Sequence, residues 1–220
     1  MHQLSNPSIL YFGTPVVLIS SINEDGSYNI APISSVFWLG YRCVIGIGLH
    51  SKTAENIVHR GECVINLPSE DMAAAVDRLA LTTGRNPVPA AKLAKGYRFV
   101  RDKFRHAGLT AVQADVISTP LIAECPVQLE TSLITGHPLG ADKGLSNVRT
   151  AVMELKVVRV HIDKKILVDG IPDRIDPDKW RPLMMSFQKF YGLGEELHPS
   201  RLATIREELY RNADTEEAAG

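Results

Sequence analysis

The stretch Leu49-His50-Ser51-Lys52-Thr53-Ala54-Glu55-Asn56-Ile57 is predicted to join the end of a buried strand to the start of a short helix. An apolar run from Cys43 precedes it, and Gly61 stands where a helix C-cap is expected. Free backbone N–H groups at a helix start, the positive end of the helix dipole and a nearby lysine together form an anion site. The junction therefore predicts a binding site for an anionic group such as a phosphate.

Strand signals outnumber helix signals along the rest of the chain. Apolar and β-branched runs predict strands at 15–22, 28–31, 34–39, 43–49, 62–67, 120–125, 127–135, 150–162 and 164–168. Helical patterns are confined to 53–60, where Ala54, Ile57 and Val58 are expected to share the buried face, to 69–81 and to 202–210. Many strands with few helices predict a mainly β fold, a β-barrel with peripheral helices.

Polar segments separate these elements. The segment 82–96 is predicted to be a long surface loop with a helical turn near 90–94, and 136–147 is predicted to be a second loop. The acidic tail at 214–220 is expected to be disordered. Because no linker interrupts the chain, we expect one domain over 1–220, with a core at about 14–170 and a C-terminal extension at 171–220.

Composition excludes several classes of protein. The chain has 220 residues, of which 45% are hydrophobic and 22% charged, and its formal net charge is −1. This balance does not predict a nucleic-acid partner. Neither a signal segment nor an apolar run long enough to span a membrane is found, so a cytoplasmic protein is expected. The cysteines Cys43, Cys63 and Cys125 are odd in number and far apart, which predicts reduced, buried thiols.

A second polar cluster lies upstream of the junction, at Asn29-Ile30-Ala31-Pro32-Ile33-Ser34-Ser35-Val36-Phe37. Pro32 has no N–H and interrupts the strand ladder, which leaves neighbouring backbone groups free to meet a polar ring edge. Ser34 and Ser35 point to opposite faces, so one side chain at most would reach a given ligand. Combined with the anion site, this cluster predicts a phosphorylated, flat cofactor with polar edges.

Other chemistries lack support in the sequence. The run Gly46 to Thr53 resembles a Walker A loop, but Ser51 replaces the second glycine and the first glycines lie within a strand, so a nucleoside triphosphatase is rejected. The histidines show no metal-binding spacing, and neither a paired acid and base nor a nucleophile elbow is found, so no catalytic residue and no metal are predicted. Arg85 and Lys103 are expected to be exposed cations flanking the 82–96 loop.

Four segments resemble those of the flavin reductase-like, FMN-binding split-barrel family. They are Pro15-Val16-Val17-Leu18-Ile19-Ser20, the 29–37 cluster, Ser51-Lys52-Thr53-Ala54-Glu55-Asn56-Ile57 and Gly61-Glu62-Cys63-Val64-Ile65-Asn66-Leu67. Three shorter segments follow in the family's order: Thr83-Gly84-Arg85, Asp102-Lys103-Phe104 and Glu124-Cys125-Pro126-Val127. The resemblance covers about 14–170 and implies a split-barrel homodimer that holds FMN near the subunit interface.

The resemblance also implies the residues of the site. Contacts to the flavin ring and ribityl chain are expected from Pro32, Ser34, Ser35 and Val36. Contacts to the phosphate are expected from Ser51, Lys52 and Thr53, with Leu49, His50 and Asn56 close by and Arg85 as a further candidate.

Three functions remain open on this resemblance. The first is a flavin reductase that takes hydride from NADH or NADPH and passes electrons to a flavin, oxygen, a small substrate or an oxygenase partner. The second is a non-catalytic FMN-binding electron carrier. The third is a split-barrel relative that oxidises pyridoxamine phosphate or binds haem. In each case the cofactor supplies the chemistry and the protein positions it.

Overall fold

The computed structural model describes residues 1–144 and 148–219. Its strands are β1 Thr14–Pro15, β2 Val17–Ile22, β3 Tyr28–Ile33, β4 Val36–Leu39, β5 Arg42–Gly48, β6 Glu62–Leu67, β7 Thr82–Thr83, β8 Arg98–Phe99, β9 Ala111–Val112, β10 Leu121–Ile122, β11 Val127–Leu139, β12 Thr150–Ile162, β13 Met184–Ser186 and β14 Lys189–Tyr191. Its α-helices are α1 Lys52–Arg60, α2 Ala73–Leu79, α3 Ala90–Leu93, α4 Lys103–Ala107 and α5 Ala213–Ala219.

Seven antiparallel strands form the main sheet, in the order β3-β2-β6-β11-β12-β5-β4. Its edge strands β3 and β4 are consecutive in the sequence, and only Ser34 and Ser35 separate them. The Gly46 N–H donates to the Ser35 carbonyl at 2.8 Å, which ties this connection to β5. The chain thus steps from one edge of the curled sheet to the other, and the mainly β prediction is confirmed.

Side-chain alternation along β2 divides the core into two parts. Val17 and Ile19 belong to the apolar interior that β4, β5, β6, β11 and β12 also line. Val16 and Leu18 point the other way and pack with α2, α4 and β10. A strand that is covered on both faces has a continuous run of apolar residues, and this explains why the sequence predicts a strand at 15–22. The three cysteines are free and buried, as predicted.

Helix α1 follows β5 and closes one end of this interior. Ser51 is its N-cap, and Gly61, with φ 71°, is its C-cap and donates to the Ile57 carbonyl. Ala54 and Ile57 are buried, but Val58 is 63% exposed, so its predicted place on the buried face was wrong. Val58 lies one residue beyond Ile57, which turns it about 100° away from the core.

Several predicted boundaries were also wrong. The predicted 69–81 helix is divided into a 3₁₀ turn, Glu70–Met72, and α2, and the Glu70 N–H at its start donates to the Arg181 carbonyl. The predicted 164–168 strand is a 3₁₀ turn, Lys164–Ile166, capped by Asp163. Strand β11 continues through 136–139, where a loop was expected, because it pairs with β12. The predicted loop is found at 140–144, which contain a 3₁₀ turn at Ala141–Lys143, and residues 145–147 lie outside the described residues.

The C-terminal extension differs most from expectation. The predicted 202–210 helix is two 3₁₀ turns, Arg201–Thr204 and Glu207–Tyr210. The tail expected to be disordered forms α5, apart from residue 220, which the structure does not describe. Asp214 forms hydrogen bonds of 2.8 and 3.0 Å with Arg42, and Lys156 of β12 pairs with Asp214 and Glu217. Among the described residues, no helix has the length and apolar character that a membrane crossing requires.

Candidate functional site

A polar cleft of about 440 Å³ opens at the start of α1. Four segments line it: 23–29 around the β2–β3 turn, Lys52 of α1, 84–86 after β7, and 99–101 at the end of β8. The turn, the helix start and the loop are far apart in sequence, so the fold assembles this cleft. The predicted 82–96 loop therefore contributes one wall, and its helical turn is confirmed as α3.

Two cations of the cleft converge on a single carboxylate. Lys52 Nζ contacts Glu55 Oε1, and Arg85 Nη1 contacts Glu55 Oε2. Arg85 Nε also donates to the His50 carbonyl at 3.1 Å, which fixes the guanidinium beside the strand-to-helix junction. The hydrogen bond from Lys52 and the charge of Arg85 lower the pKa of the Glu55 carboxyl. The fold thus brings Lys52 and Arg85 close enough to bind one anionic group together.

The helix start adds backbone donors to these cations. The Ser51 hydroxyl accepts the Ala54 N–H at 3.1 Å, which makes it an N-cap. The N–H groups of Lys52 and Thr53 lie in the first turn and have no intrahelical acceptor. Ser51 is therefore occupied as a cap, while the first-turn N–H groups remain the natural anion donors of this junction.

A buried network of amides and hydroxyls lies behind the cations. Asn29 Nδ2 donates to Thr53 Oγ1 at 3.0 Å, and Asn56 Nδ2 donates to Ser21 Oγ at 3.0 Å and to Asn23 Oδ1 at 2.9 Å. Thr53 and Asn56 are both buried. Their side chains therefore join α1 to β2 and β3, and they position the junction from behind.

Asn29 has one polar end without a protein partner. Within the described part of the chain, its buried Oδ1 has no hydrogen-bond donor. A Cβ on Gly84 would lie 2.7 Å from this oxygen and 3.2 Å from Lys52 Cγ. Whichever way the amide is turned, one of its polar ends faces Gly84 at the cleft wall. Only glycine allows the loop to approach Asn29 and Lys52 this closely.

The other predicted site residues lie near the gap between β3 and β4. Ser34 is half-buried and Ser35 exposed, and neither they nor Pro32 line the cleft. The Val36 side chain is buried in the barrel interior, so only its backbone is available to a ligand. Leu49 donates its N–H to the Arg149 carbonyl at 2.9 Å. The structure therefore separates the predicted residues into two groups. The cationic group, Lys52 and Arg85, lines the cleft. The strand-gap group lies where β3 leads into β4 and consists of Pro32, Ser34, Ser35 and Val36.

Lys103 does not have the exposed position predicted for it. Its side chain is 3% exposed, and Nζ donates to the Ile30 carbonyl of edge strand β3 at 2.8 Å. Burial, with a smaller effect of the Lys92 charge, lowers the pKa of the Lys103 ammonium to about 7. The sequence does not show that an edge carbonyl of β3 lies opposite this lysine.

Sequence reasoning missed Glu55, Asn29 and Gly84 as site residues. The i, i+3 spacing of Lys52 and Glu55 on a helix is a usable signal for their ion pair. Asn29 and Gly84 lie within segments that carry the family resemblance, but no local sequence pattern indicates that these two residues are in contact.

A second cluster of ionisable groups lies outside the cleft. Glu130 is fully buried, and its carboxylate accepts N–H groups of Asp115, Val116 and Ile117 at 2.9–3.0 Å. His161 Nε2 lies 2.7 Å from Glu130 Oε1. Burial raises the pKa of the Glu130 carboxyl, but these hydrogen bonds outweigh it and the pKa is lowered. Because N–H donors surround the carboxylate, the cluster anchors the 115–117 loop and is a poor cation site.

Comparisons with known proteins agree with this architecture. Residues 9–194 match the model of the flavin reductase like domain. The uncharacterized protein YdfE of Bacillus subtilis (strain 168) is 35% identical over 191 residues, which cover 87% of this chain and 89% of that protein.

Two solved structures share the fold. Flavoredoxin of Desulfovibrio vulgaris (Miyazaki F) is 21% identical, covers 92% of this chain and 99% of its own, and superposes with a TM-score of 0.72. Nitrilotriacetate monooxygenase component B of Bacillus cereus is 22% identical, covers 87% and 89%, and has a TM-score of 0.70.

Proposed function

The chain belongs to the flavin reductase-like family, and on this premise we propose that it is an FMN-dependent oxidoreductase that takes hydride from NADH or NADPH. Bound FMN would accept the hydride and pass electrons to a flavin, oxygen, a small substrate or an oxygenase partner. Nitrilotriacetate monooxygenase component B, a structural neighbour, is by its name one component of a monooxygenase. A comparable partner is part of this proposal.

The convergence of Lys52 and Arg85 carries the proposal. A phosphate offers several oxygens to these cations and to the first-turn N–H groups, and each charge-assisted hydrogen bond contributes about 1.5–3 kcal/mol. Asn29 also lines the cleft, and its buried Oδ1 lies against Gly84, the residue before Arg85. The residues of the cleft therefore fit the phosphate half of FMN.

The strand-gap group suits the ring half. Pro32 follows Asn29 by three residues on β3, a distance of about 10 Å at the usual rise of a strand. A ribityl chain could cover this separation and place the ring beside Pro32, Ser34, Ser35 and the backbone of Val36. The prediction that Pro32 interrupts the ladder was wrong, because β3 pairs with β2 through Pro32 and Ile33. Since β3 is an edge strand, backbone groups on its open side would instead meet the polar edge of the ring.

We also propose a cytoplasmic homodimer. Phe37 and Leu39 of edge strand β4 are 53% and 72% exposed, directly after the strand gap. Burying such an edge against a second copy would cover apolar surface and bring the interface to the ring end of the site. The three unpaired, buried thiols support a reducing compartment.

A visible absorption spectrum tests the function directly. The purified protein, supplied with FMN if necessary, is recorded before and after anaerobic addition of NADH and then NADPH. Flavin bands that bleach with either nucleotide are expected. Bands that persist would favour the electron carrier over the reductase, and the absence of bound flavin even with added FMN would refute the cofactor.

Replacing Lys52 tests the phosphate site. Lys52→Ala should weaken FMN binding about tenfold or more, because one charge-assisted contact to the phosphate is lost. The matched control is Lys95→Ala, which removes an exposed lysine from the 82–96 loop. Fluorescence titration of FMN gives both affinities, and equal affinities in the two variants would refute the assignment of Lys52.

A further inference from the structure

Glu55 occupies the position between the two cations that the proposed phosphate would require. Its two carboxylate oxygens contact Lys52 and Arg85 separately, and its side chain is 29% exposed. The site therefore contains an anion of its own. Any phosphate that binds Lys52 and Arg85 must displace this carboxylate or lie beside it.

The charges give the consequence for binding. Lys52 and Arg85 alone present two positive charges to a phosphate, but with Glu55 the local sum is one. A carboxylate that stays near the cations repels the phosphate, and one that moves away loses both ion pairs. Either way, part of the attraction between the cations and the phosphate is cancelled.

We propose, on the basis of the proposed function, that Glu55 is an affinity-determining residue that weakens phosphate binding and keeps FMN exchangeable. A flavin that leaves the site readily can act as a diffusing product of the reductase. A flavin held by two unopposed cations would remain as a fixed prosthetic group. Glu55 thereby selects, within one fold, between a reductase that releases reduced flavin and a protein that retains it.

An ordinary helix-stabilising ion pair is the competing explanation, since Lys52 and Glu55 are i, i+3 neighbours. That role would alter thermal stability without distinguishing flavins. The effect on phosphate binding instead separates FMN from riboflavin, which has the same ring and ribityl chain but no phosphate. The comparison of the two ligands therefore isolates the proposed role.

The experiment measures dissociation constants of FMN and riboflavin for the wild type and for Glu55→Gln, with Glu55→Ala as a second variant. Removing the carboxylate should tighten FMN binding about tenfold, the effect of one like charge a few ångströms from the phosphate. Riboflavin affinity should change less than about twofold. Glu196→Gln is the matched control, because Glu196 is an exposed carboxylate outside the lining of the cleft.

The outcomes are distinct. Tightening of FMN alone, in the Glu55 variants and not in Glu196→Gln, supports the proposal. Unchanged or weaker FMN binding in folded Glu55 variants overturns it, as does equal tightening of FMN and riboflavin. Failure of the wild type and all variants to bind either flavin would refute the proposed function itself, and this inference with it.

Discussion

Lys103 predicts a pH dependence of stability that can be worked from the structure. Its ammonium is buried against the Ile30 carbonyl, and its pKa is lowered from 10.5 to about 7. Replacing it by methionine keeps an unbranched side chain of similar length and removes the ionisable group. The perturbation therefore tests burial of a charge beneath edge strand β3.

The sign follows from proton binding in the two states. Below pH 7 the folded and unfolded chains both carry the proton, and the cost of the buried charge is fully present. As the pH rises through the folded pKa toward the unfolded one, the folded chain releases its proton first, so this cost is lost and stability increases. Between pH 7 and about 8.5 the free energy of unfolding should rise by about 1.5 kcal/mol through this group.

The assay is urea unfolding of the wild type and Lys103→Met at pH 7, 7.75 and 8.5. The wild type should gain stability relative to the variant across this range, and the constant cost of leaving the Ile30 carbonyl without its donor cancels in the comparison. The range stops there because burial raises the pKa of Cys43 and Cys63 to about 12, which lowers stability once unfolded thiols ionise. Lys95→Met is the exposed control, and parallel pH profiles for Lys103→Met and the wild type would refute the reasoning.

Two further predictions concern buried contacts. Glu130→Gln should lower the free energy of unfolding, measured by urea denaturation, by about 2–4 kcal/mol, because three backbone N–H groups and His161 lose a charged acceptor. The control Glu124→Gln, at an exposed position, should lower it by less than about 1 kcal/mol. Equal losses in the two variants would contradict the anchoring role. Gly84→Ala should weaken FMN binding about tenfold in fluorescence titrations, since the new Cβ must displace Asn29 or Lys52. The control Gly194→Ala, where a Cβ meets nothing within 4 Å, should bind FMN as the wild type does. An unchanged FMN affinity in Gly84→Ala would contradict the prediction, because it would show that Asn29 or Lys52 can move aside without loss of binding.

The sequence predicted best what depends on neighbouring residues. The apolar run of β2 and the Ser51 to Gly61 helix both follow from local pattern and capping chemistry. The anion site at the helix start was predicted on the same local basis and stays a prediction. The sequence predicted the fold class but not which strands pair. No local pattern indicates that β3 and β4 are the two edges of one curled sheet.

Polar residues with distant partners account for the wrong predictions. Lys103 looked like a solvated cation because its acceptor, the Ile30 carbonyl, is 73 residues away. The acidic tail looked disordered because its cation on β5, Arg42, is 172 residues from Asp214. Charge alone predicts exposure, and only a fold that supplies a partner reverses that expectation.

The segment from Gly84 to Lys103, the first residue of α4, shows why the site depends on such partners. Gly84 touches Asn29, Arg85 reaches His50 and Glu55, and Lys103 bonds to the edge of β3. This segment therefore supplies a cation to the cleft and donates one hydrogen bond to the open edge of β3 at Ile30. Because these contacts tie the loop to β3, the proposed phosphate end and ring end of the site would be positioned together. A site on a freely moving loop would lack this coupling, and its two ends would have to be ordered separately on binding.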